Sequence, residues 1–369
     1  MKIILLSDAN SVHTVKWVKS LSQHKFNIQL FSLFKPNKEA SKIYNKYNVK
    51  VVSPNLKSKI NKLREPNISK LKYILSFPML KKMIKNFKPD LIHAHYLSSY
   101  GFLALLTGFK PFITSVWGSD IYYFPEKNKL NKWLVNLLIK KSDRICSTSF
   151  AMKQIIEKDY RRFDIDIVPF GIDLDSFYPK PNNKKTFTVG TIKSIENHNG
   201  VDCLIDAASI VINDYKKDIN FIIVGKGSLK EKMKKRAVDL KIDQRLKFIG
   251  FVKHKNVLKY YNDLSIFIAV STRESFGVSI LEAAACEVPS ITSNVGGLTE
   301  VNQNNVTGIV IDPNNPNKLA ETIITLYNDE QQRLKLGANA RKMVVEKYDW
   351  NRNVEDMIDI YKKMKINEN

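Results

Sequence analysis

The stretch Ser271-Thr-Arg-Glu-Ser-Phe-Gly-Val-Ser-Ile-Leu-Glu-Ala-Ala-Ala-Cys286 sets two carboxylates, Glu274 and Glu282, eight residues apart around Phe276 and Gly277. The run Leu264–Val270 before it has strand length and apolar character. Val278–Cys286 after it has the apolar density and alanine content of a buried helix. Glu274 then lies in the loop at the strand end, with Ser275 as the expected N-cap and Gly277 allowing close backbone approach at the helix N-terminus. Glu282 falls in the first turns of the helix. Two readings fit: contacts to different parts of one extended ligand, or one surface glutamate and one that faces its neighbours within a common strand-loop-helix unit. Other groups able to do chemistry also follow strand-like runs: His13 after Lys2–Leu6, His93 and His95 about the end of Asp90–His93, Asp120 after Pro111–Ser115, and Lys193 after Phe187–Gly190.

The elements that must position these groups alternate between strand and helix twice over. Seven strand patterns occur before residue 180, at Lys2–Leu6, Ile28–Phe31, Val49–Val52, Asp90–His93, Pro111–Ser115, Asp143–Cys146 and Ile165–Val168. Six more follow, at Phe187–Gly190, Phe221–Val224, Leu246–Ile249, Ser265–Ile268, Pro289–Thr292 and Gly308–Ile311. The fold class is α/β, with two doubly wound Rossmann-like domains. Their boundary is expected near the proline-containing, polar segment Phe177–Lys185, giving domains 1–180 and 181–348. In such sheets ligands bind beyond the carboxyl ends of the strands, so two domains facing each other would enclose a cleft.

The 369 residues are enough for two cores, and 44% hydrophobic with 26% charged residues describes a soluble globular protein. Cys146, Cys203 and Cys286 are far apart and show no metal-ligand spacing, which fits a reducing cytoplasmic setting. No segment reads as a signal peptide or membrane span. The net charge is +23, and residues 1–180 carry 31 Lys and Arg against 13 Asp and Glu. Lys57–Lys88 holds ten basic residues and one acid, interleaved with apolar ones. A solvated charged face or basic amphipathic helices meeting an anionic membrane surface account for this pattern; nucleic acid is the lesser reading and lacks a recognition motif.

The order and spacing of several short motifs resemble the retaining nucleotide-sugar glycosyltransferases of family four, over nearly the whole chain. They are Ser7–Trp17, Asp90–Tyr96, Trp117-Gly118-Ser119-Asp120, Val168–Asp173, Val224–Gly227, Phe248–Val252, the Glu274-x7-Glu282 element and Val295–Glu300. The resemblance implies the GT-B architecture and a hexosyltransferase that moves a sugar from a UDP- or GDP-sugar to a glycan or lipid-linked glycan acceptor of the cell surface. It implies that Glu282 accepts the ribose hydroxyls and that Glu274 reaches the donor sugar near the reaction centre. Gly225, Gly227, Val252, Ser275, Phe276, Gly277 and Val278 would complete the donor site. The helix amides suit the diphosphate. It further implies that residues 349–369 cross back to the first domain.

The chain departs from the family pattern at two places. Where the family has an Arg and Lys pair for the diphosphate, Thr191 and Asn199 stand, and Lys193 and His198 are the substitutes. Where the family has His-Gly-x-Asp, this chain has Trp117-Gly118-Ser119-Asp120. Trp117 then either stacks on a sugar or closes a strand. Asp120 is expected as the acceptor-side catalytic group, with His13, Thr14, His95, Trp117 and Gly118 on the acceptor or donor-sugar side. No metal or other cofactor is expected, because helix amides and cations can stabilise the departing diphosphate; Asp164-x-Asp166 and Asp173-x-Asp175 are read as strand and turn residues. Front-face transfer, aided by lobe closure, is the expected mechanism, and the expected location is cytoplasmic, peripheral on the inner face of the membrane. A UDP-sugar 2-epimerase of the same architecture is the alternative, and a basic nucleic-acid binder a remoter one.

Overall fold

The computed structural model describes residues 1–56, 71–181 and 186–366. The chain folds as two compact α/β units, Met1–Phe170 joined by the segment from Asn351 onward, and Gly171–Trp350. Unit 1 contains β1 (Lys2–Leu6), β2 (Asn27–Phe31), β3 (Lys50–Val52), β4 (Leu91–His95), β5 (Phe112–Val116), β6 (Arg144–Ser147) and β7 (Ile165–Ile167), in the spatial order β3-β2-β1-β4-β5-β6-β7. Unit 2 contains β8 (Thr188–Ile192), β9 (Asn220–Val224), β10 (Leu246–Gly250), β11 (Ile266–Ala269), β12 (Ser290–Ser293) and β13 (Gly308–Ile311), in the order β10-β9-β8-β11-β12-β13. All pairings are parallel, with registers such as Ile3↔Leu91 and Ile266↔Val189. Both sheets are Rossmann-like, and each reverses its direction of winding once, at β1/β4 in unit 1 and at β8/β11 in unit 2.

Burial explains why the strands read as continuous apolar runs. Every residue of β4, β5, β11 and β12 is buried, as expected when helices cover both faces of a parallel sheet. Unit 2 packs Val189, Phe221, Ile223, Ile266, Ile268 and Ile291 against helices on either side. The division between units falls at Phe170–Gly171, ahead of the proline-containing segment at which the sequence pattern breaks. The reason is local. The Ile172 N–H donates to the Tyr348 carbonyl, the Trp350 N–H donates to the Ile172 carbonyl, and the Phe177 ring lies 6.0 Å from that of Tyr261, all within unit 2.

In unit 1 the C-terminal helix Trp350–Ile366 meets the sheet through a buried polar contact. His93 Nδ1 lies 2.6 Å from Tyr361 Oη, and His93 Nε2 lies 2.8 Å from Ser115 Oγ. A neutral imidazole donates at one nitrogen and accepts at the other, and both partners are hydroxyls able to take either part. Burial pushes the His93 imidazole down from 6.5 to about 3. His95, edge-on to it at 4.5 Å, is held well below its ordinary value by burial first and by its histidine neighbours second.

Of the basic segment Lys57–Lys88, residues 57–70 lie outside the described residues. The helix Phe77–Phe87 buries Leu80, Met83 and Phe87 and leaves Lys81, Lys82 and Lys85 in solvent. Leu80, one of the apolar residues interleaved with the lysines of this segment, is thereby a core residue, because it falls on the helix face shared with Met83 and Phe87. Leu75 remains exposed. No helix among the described residues is long and apolar enough to cross a membrane.

A histidine whose folded value lies below its unfolded one contributes stability above the unfolded value and loses it as pH falls toward the folded one. Unit 1 should therefore weaken below about pH 6.5, by up to about 1.4 kcal/mol per pH unit for each buried histidine that protonates on unfolding. Thermal unfolding of the full chain between pH 5 and pH 8 checks this: His93→Asn should lower stability at pH 8 and flatten the pH slope, and an unchanged slope would contradict a buried neutral imidazole.

Candidate active site

Ligands of doubly wound sheets sit beyond the carboxyl ends of the strands where the winding reverses. In unit 2 those are the ends of β8 and β11, and two predicted site residues meet there. Lys193, immediately after β8, places Nζ 2.5 Å from Glu274 Oε2 and 2.8 Å from Ser271 Oγ, both in the loop after β11. The lysine side chain is 9% exposed and the glutamate 22%. The pair is thus a mostly desolvated ion pair with a hydroxyl as third member, and removing either charge alone would leave the other poorly compensated.

The loop leads through Phe276, buried against Tyr348 at 5.8 Å, into the helix Val278–Ala285. Gly277 is the cap residue with φ of 104°, a left-handed conformation that a side chain resists. Ser275 is therefore not the N-cap that its residue type suggested. The chain needs two further residues to turn into the helix, and only the glycine takes the required dihedral. The first N–H groups of this helix point back toward the loop, as helix starts require, and form a site of positive potential.

Glu282, within that helix, is 7% exposed, and both its oxygens are engaged. Oε1 is 2.8 Å from His254 Nε2, and Oε2 accepts from Tyr261 Oη at 2.6 Å. The Tyr261 phenol is held well above its ordinary value, first by burial and then by the Glu282 charge. A carboxylate has about four acceptor positions, so two donors leave capacity for further hydroxyls. His254 and Tyr261 were not singled out in the sequence. His254 follows β10 and fits the rule that site residues follow strands; Tyr261, on the short helix Leu258–Asp263, looks like any core aromatic.

The remaining donor-side positions are explained in part by packing. A Cβ on Gly225 would meet the Lys193 carbonyl oxygen at 1.9 Å, and one on Gly227 the Ile195 carbonyl oxygen at 2.1 Å. These glycines let the loop after β9 lie on the loop that carries Lys193, so their absence of side chains is required by the protein's own backbone. Val252 is partly exposed after β10. Val278 is partly exposed at the helix start, and His198 is exposed on the turn Asn197–Asn199. Asn199, at the position of the family's lysine, is buried and donates through Nδ2 to the Ser194 carbonyl at 2.8 Å.

Unit 1 brings together His13, His95, Trp117 and Phe170, which come from the end of β4 and the segments after β1, β5 and β7. The His13 ring stacks on Phe170 at 3.9 Å, and Trp117 lies 4.8 Å from His95 and 5.7 Å from His13. His13 sits in the first turn of the helix Val12–Gln23. Thr14 and His95 are internal: Thr14 Oγ1 is 2.6 Å from Ser7 Oγ, which is 3.2 Å from His95 Nδ1. The half-exposed members of the cluster are His13 and Trp117.

Asp120 requires a correction. It is fully buried, and its carboxylate accepts backbone N–H groups from Leu97 at 2.9 Å, Gly118 at 2.8 Å and Trp117 at 3.2 Å. Burial raises its proton affinity and these amides oppose the shift. The carboxylate is consumed in tying the loops after β4 and β5 together, with Gly118 at φ of 135° making the turn, so it is a structural anchor here and not a group open to an acceptor. Of the Asp-x-Asp strings, Asp166 pairs with Arg144 at 3.1 Å, Asp164 pairs with Arg162, and Asp173 accepts from Ser176 Oγ at 2.8 Å.

Comparison with known proteins bears on the family and the fold. Residues 2–149 match the family described as glycosyl transferase 4-like, and residues 175–343 match glycosyl transferases group 1. An uncharacterized glycosyltransferase of Methanocaldococcus jannaschii is 27% identical over 357 residues, 96% of this chain and 94% of that protein. The UDP-Gal:alpha-D-GlcNAc-diphosphoundecaprenol alpha-1,3-galactosyltransferase of Escherichia coli is 25% identical over 324 residues, 82% of each. Among solved structures, HepE of Anabaena in complex with UDP-glucose has the same fold, with a TM-score of 0.81 at 17% identity over 98% of this chain and 100% of that one.

Two expectations follow from these contacts. Tyr261→Phe removes one hydrogen bond to a buried carboxylate and should cost about 1.5–3 kcal/mol of unfolding free energy. The same change in a Glu282→Gln background should cost clearly less, and equal costs in a denaturant double-mutant cycle would show that the two groups are not coupled. Asp120→Asn should lower thermal stability, because an amide oxygen replaces a charged acceptor of three N–H groups; lost turnover with unchanged stability would return Asp120 to the catalytic set.

Proposed function

As a group 1 glycosyltransferase of GT-B architecture, this chain, we propose, is a retaining hexosyltransferase that uses a UDP- or GDP-sugar and glycosylates a hydroxyl of a lipid-linked cell-surface glycan. The observation that carries the reading is the meeting of Lys193 and Glu274 at the β8/β11 reversal, directly before the start of the helix Val278–Ala285. A cation, a carboxylate and the N-terminus of a helix at one place suit the diphosphate and the first sugar of a nucleotide-sugar. Relatives support both bases: the E. coli enzyme is named for UDP-Gal and HepE holds UDP-glucose, while a Corynebacterium glutamicum relative is named as GDP-mannose-dependent.

In this reading Glu282 accepts the ribose hydroxyls, held in place by Tyr261 and His254. The helix amides and Lys193 receive the diphosphate, and Glu274 is released from Lys193 to meet the sugar hydroxyls. The acceptor oxygen bonds to the anomeric carbon on the face from which the diphosphate departs. The bond from that carbon to the phosphate oxygen breaks, and the acceptor proton passes to the departing phosphate. His13 and Trp117, the partly exposed members of the unit 1 cluster, are the candidates for acceptor or sugar contact. No metal is needed where amides and a lysine carry the developing charge. The enzyme would work at the inner face of the cytoplasmic membrane, where a lipid-linked acceptor is presented.

The two glutamates separate this reading from others. Glu282→Ala should weaken UDP binding by about 1.5–3 kcal/mol, roughly 10- to 150-fold, as a charged hydrogen-bond acceptor is lost. Glu274→Ala should reduce turnover strongly while UDP affinity changes little. Calorimetric titration with UDP and GDP beside a sugar-transfer assay decides it; equal loss of nucleotide binding in both variants would defeat this assignment of roles.

A further inference from the structure

Unit 1 carries a second chemical surface away from the strand ends described above. The helix Lys129–Lys141 buries Val135, Leu138 and Ile139, which are enough to seat it on the core. Leu130 and Trp133, three residues apart and so on one face, are nonetheless 70% and 58% exposed. Beside them Lys132, Asn136 and Lys140 form a stripe at four-residue spacing. That stripe borders a groove of about 310 Å³, whose far wall is Asp159, Tyr160 and Arg161 at the end of the helix Phe150–Tyr160. Between residues 127 and 141 there are five lysines and no acid, and Asp159 is the one carboxylate lining the groove. Lys132, Lys140 and Arg161 make no ion pair among the described residues.

We propose that this groove docks the phosphate headgroups of an anionic phospholipid bilayer, with Leu130 and Trp133 seated in the interfacial layer. Cations next to an aliphatic side chain and a tryptophan are the chemistry of a helix lying on a membrane surface, where the indole is half apolar and half wet. Leu130 offers nothing to a nucleic acid base, so the apolar pair favours lipid over a polyanion in solution. The layer of helices supports a flat contact. The helices Lys129–Lys141 and Phe77–Phe87 both pack on the helix Phe102–Thr107, so they lie in one layer, and the second also shows lysines beside apolar side chains, with Met79 and the preceding Leu75 exposed. The inference rests on the membrane-borne acceptor proposed above and names the surface that meets it.

Sedimentation of the full chain with vesicles of phosphatidylglycerol and phosphatidylcholine in equal parts, against phosphatidylcholine alone, tests it. The protein should bind the anionic vesicles and not the neutral ones, and binding should fall steeply between about 0.05 and 0.5 M salt. Each engaged cation is worth about a factor of five, so Lys132→Glu with Lys140→Glu should weaken binding by at least about 25-fold. Trp133→Ser should weaken it as well, and brominated lipid should quench wild-type fluorescence more than that of Trp133→Phe. All these side chains are exposed, and unchanged thermal unfolding confirms that the variants fold. If the wild type stays in the supernatant, both the docking site and the membrane-borne acceptor fall. If these variants bind as the wild type does while Lys81→Glu, Lys82→Glu and Lys85→Glu together abolish binding, only the groove is overturned. Equal Trp133 response to soluble glycerol phosphate or single-stranded DNA without vesicles would overturn the groove too.

Discussion

The parallel pairing of β8 with β11 is the constraint on which the candidate site depends. These strands are adjacent in the sheet but separated by more than seventy residues of chain, and their pairing, Ile266 to Val189 and Phe267 to Gly190, brings two loops to one edge. Lys193 from the first loop meets Ser271 and Glu274 from the second. The ion pair of Lys193 with Glu274 then ties the two loops to each other. A shift of one residue in this register would turn every side chain of β11 to the opposite face. The buried Ile266 and Ile268 on one face of that strand therefore define the position of a carboxylate several residues later.

The same logic operates at each loop leaving the sheet, with backbone contacts in place of side chains. The loop after β9 is pressed on the loop after β8 through Gly225 and Gly227, where any Cβ would overlap a carbonyl. In unit 1 the loops after β4 and β5 are held by the Asp120 carboxylate, which collects three backbone N–H groups. A buried charge is tolerated there because those donors replace water. The two units thus use different means, contact of backbones and a buried carboxylate, to stiffen the loops that carry functional side chains. A rigid frame of this kind lets polar groups be placed without loss of precision.

Polar burial also divides structural groups from chemical ones. His93, His95, Thr14 and Asp120 all occupy positions where a functional group was expected or considered, and each is buried and hydrogen-bonded within the protein. Glu282 is nearly as buried, yet its two donors leave acceptor capacity, and one of them, His254, belongs to a side chain 43% exposed. Lys193 and Glu274 sit between these extremes. Their mutual contact can be exchanged for contacts to a ligand of matching charge without leaving either group dry and unpaired.

The thirteen strands found among the described residues and the two-unit α/β architecture were legible in the sequence because they are local: apolar runs of strand length with breakers between them. Which groups face solvent was not local. Asp120 and Trp117 are three residues apart and read as one motif, but only the fold turns the carboxylate inward and leaves the indole half exposed. The partners of Glu282 come from His254 and Tyr261, 28 and 21 residues away, and the partner of Glu274 lies 81 residues away. Ser275 lost the cap position to Gly277 because the helix starts from a left-handed dihedral that glycine takes and a side chain resists. Leu80 went to the core while Leu75 and Trp133 stayed outside, since packing accepts only the side chains on the inner face of each helix. Sequence pattern determines which elements form; hydrogen bonds and contacts between residues distant in the chain decide which side chains remain available for chemistry.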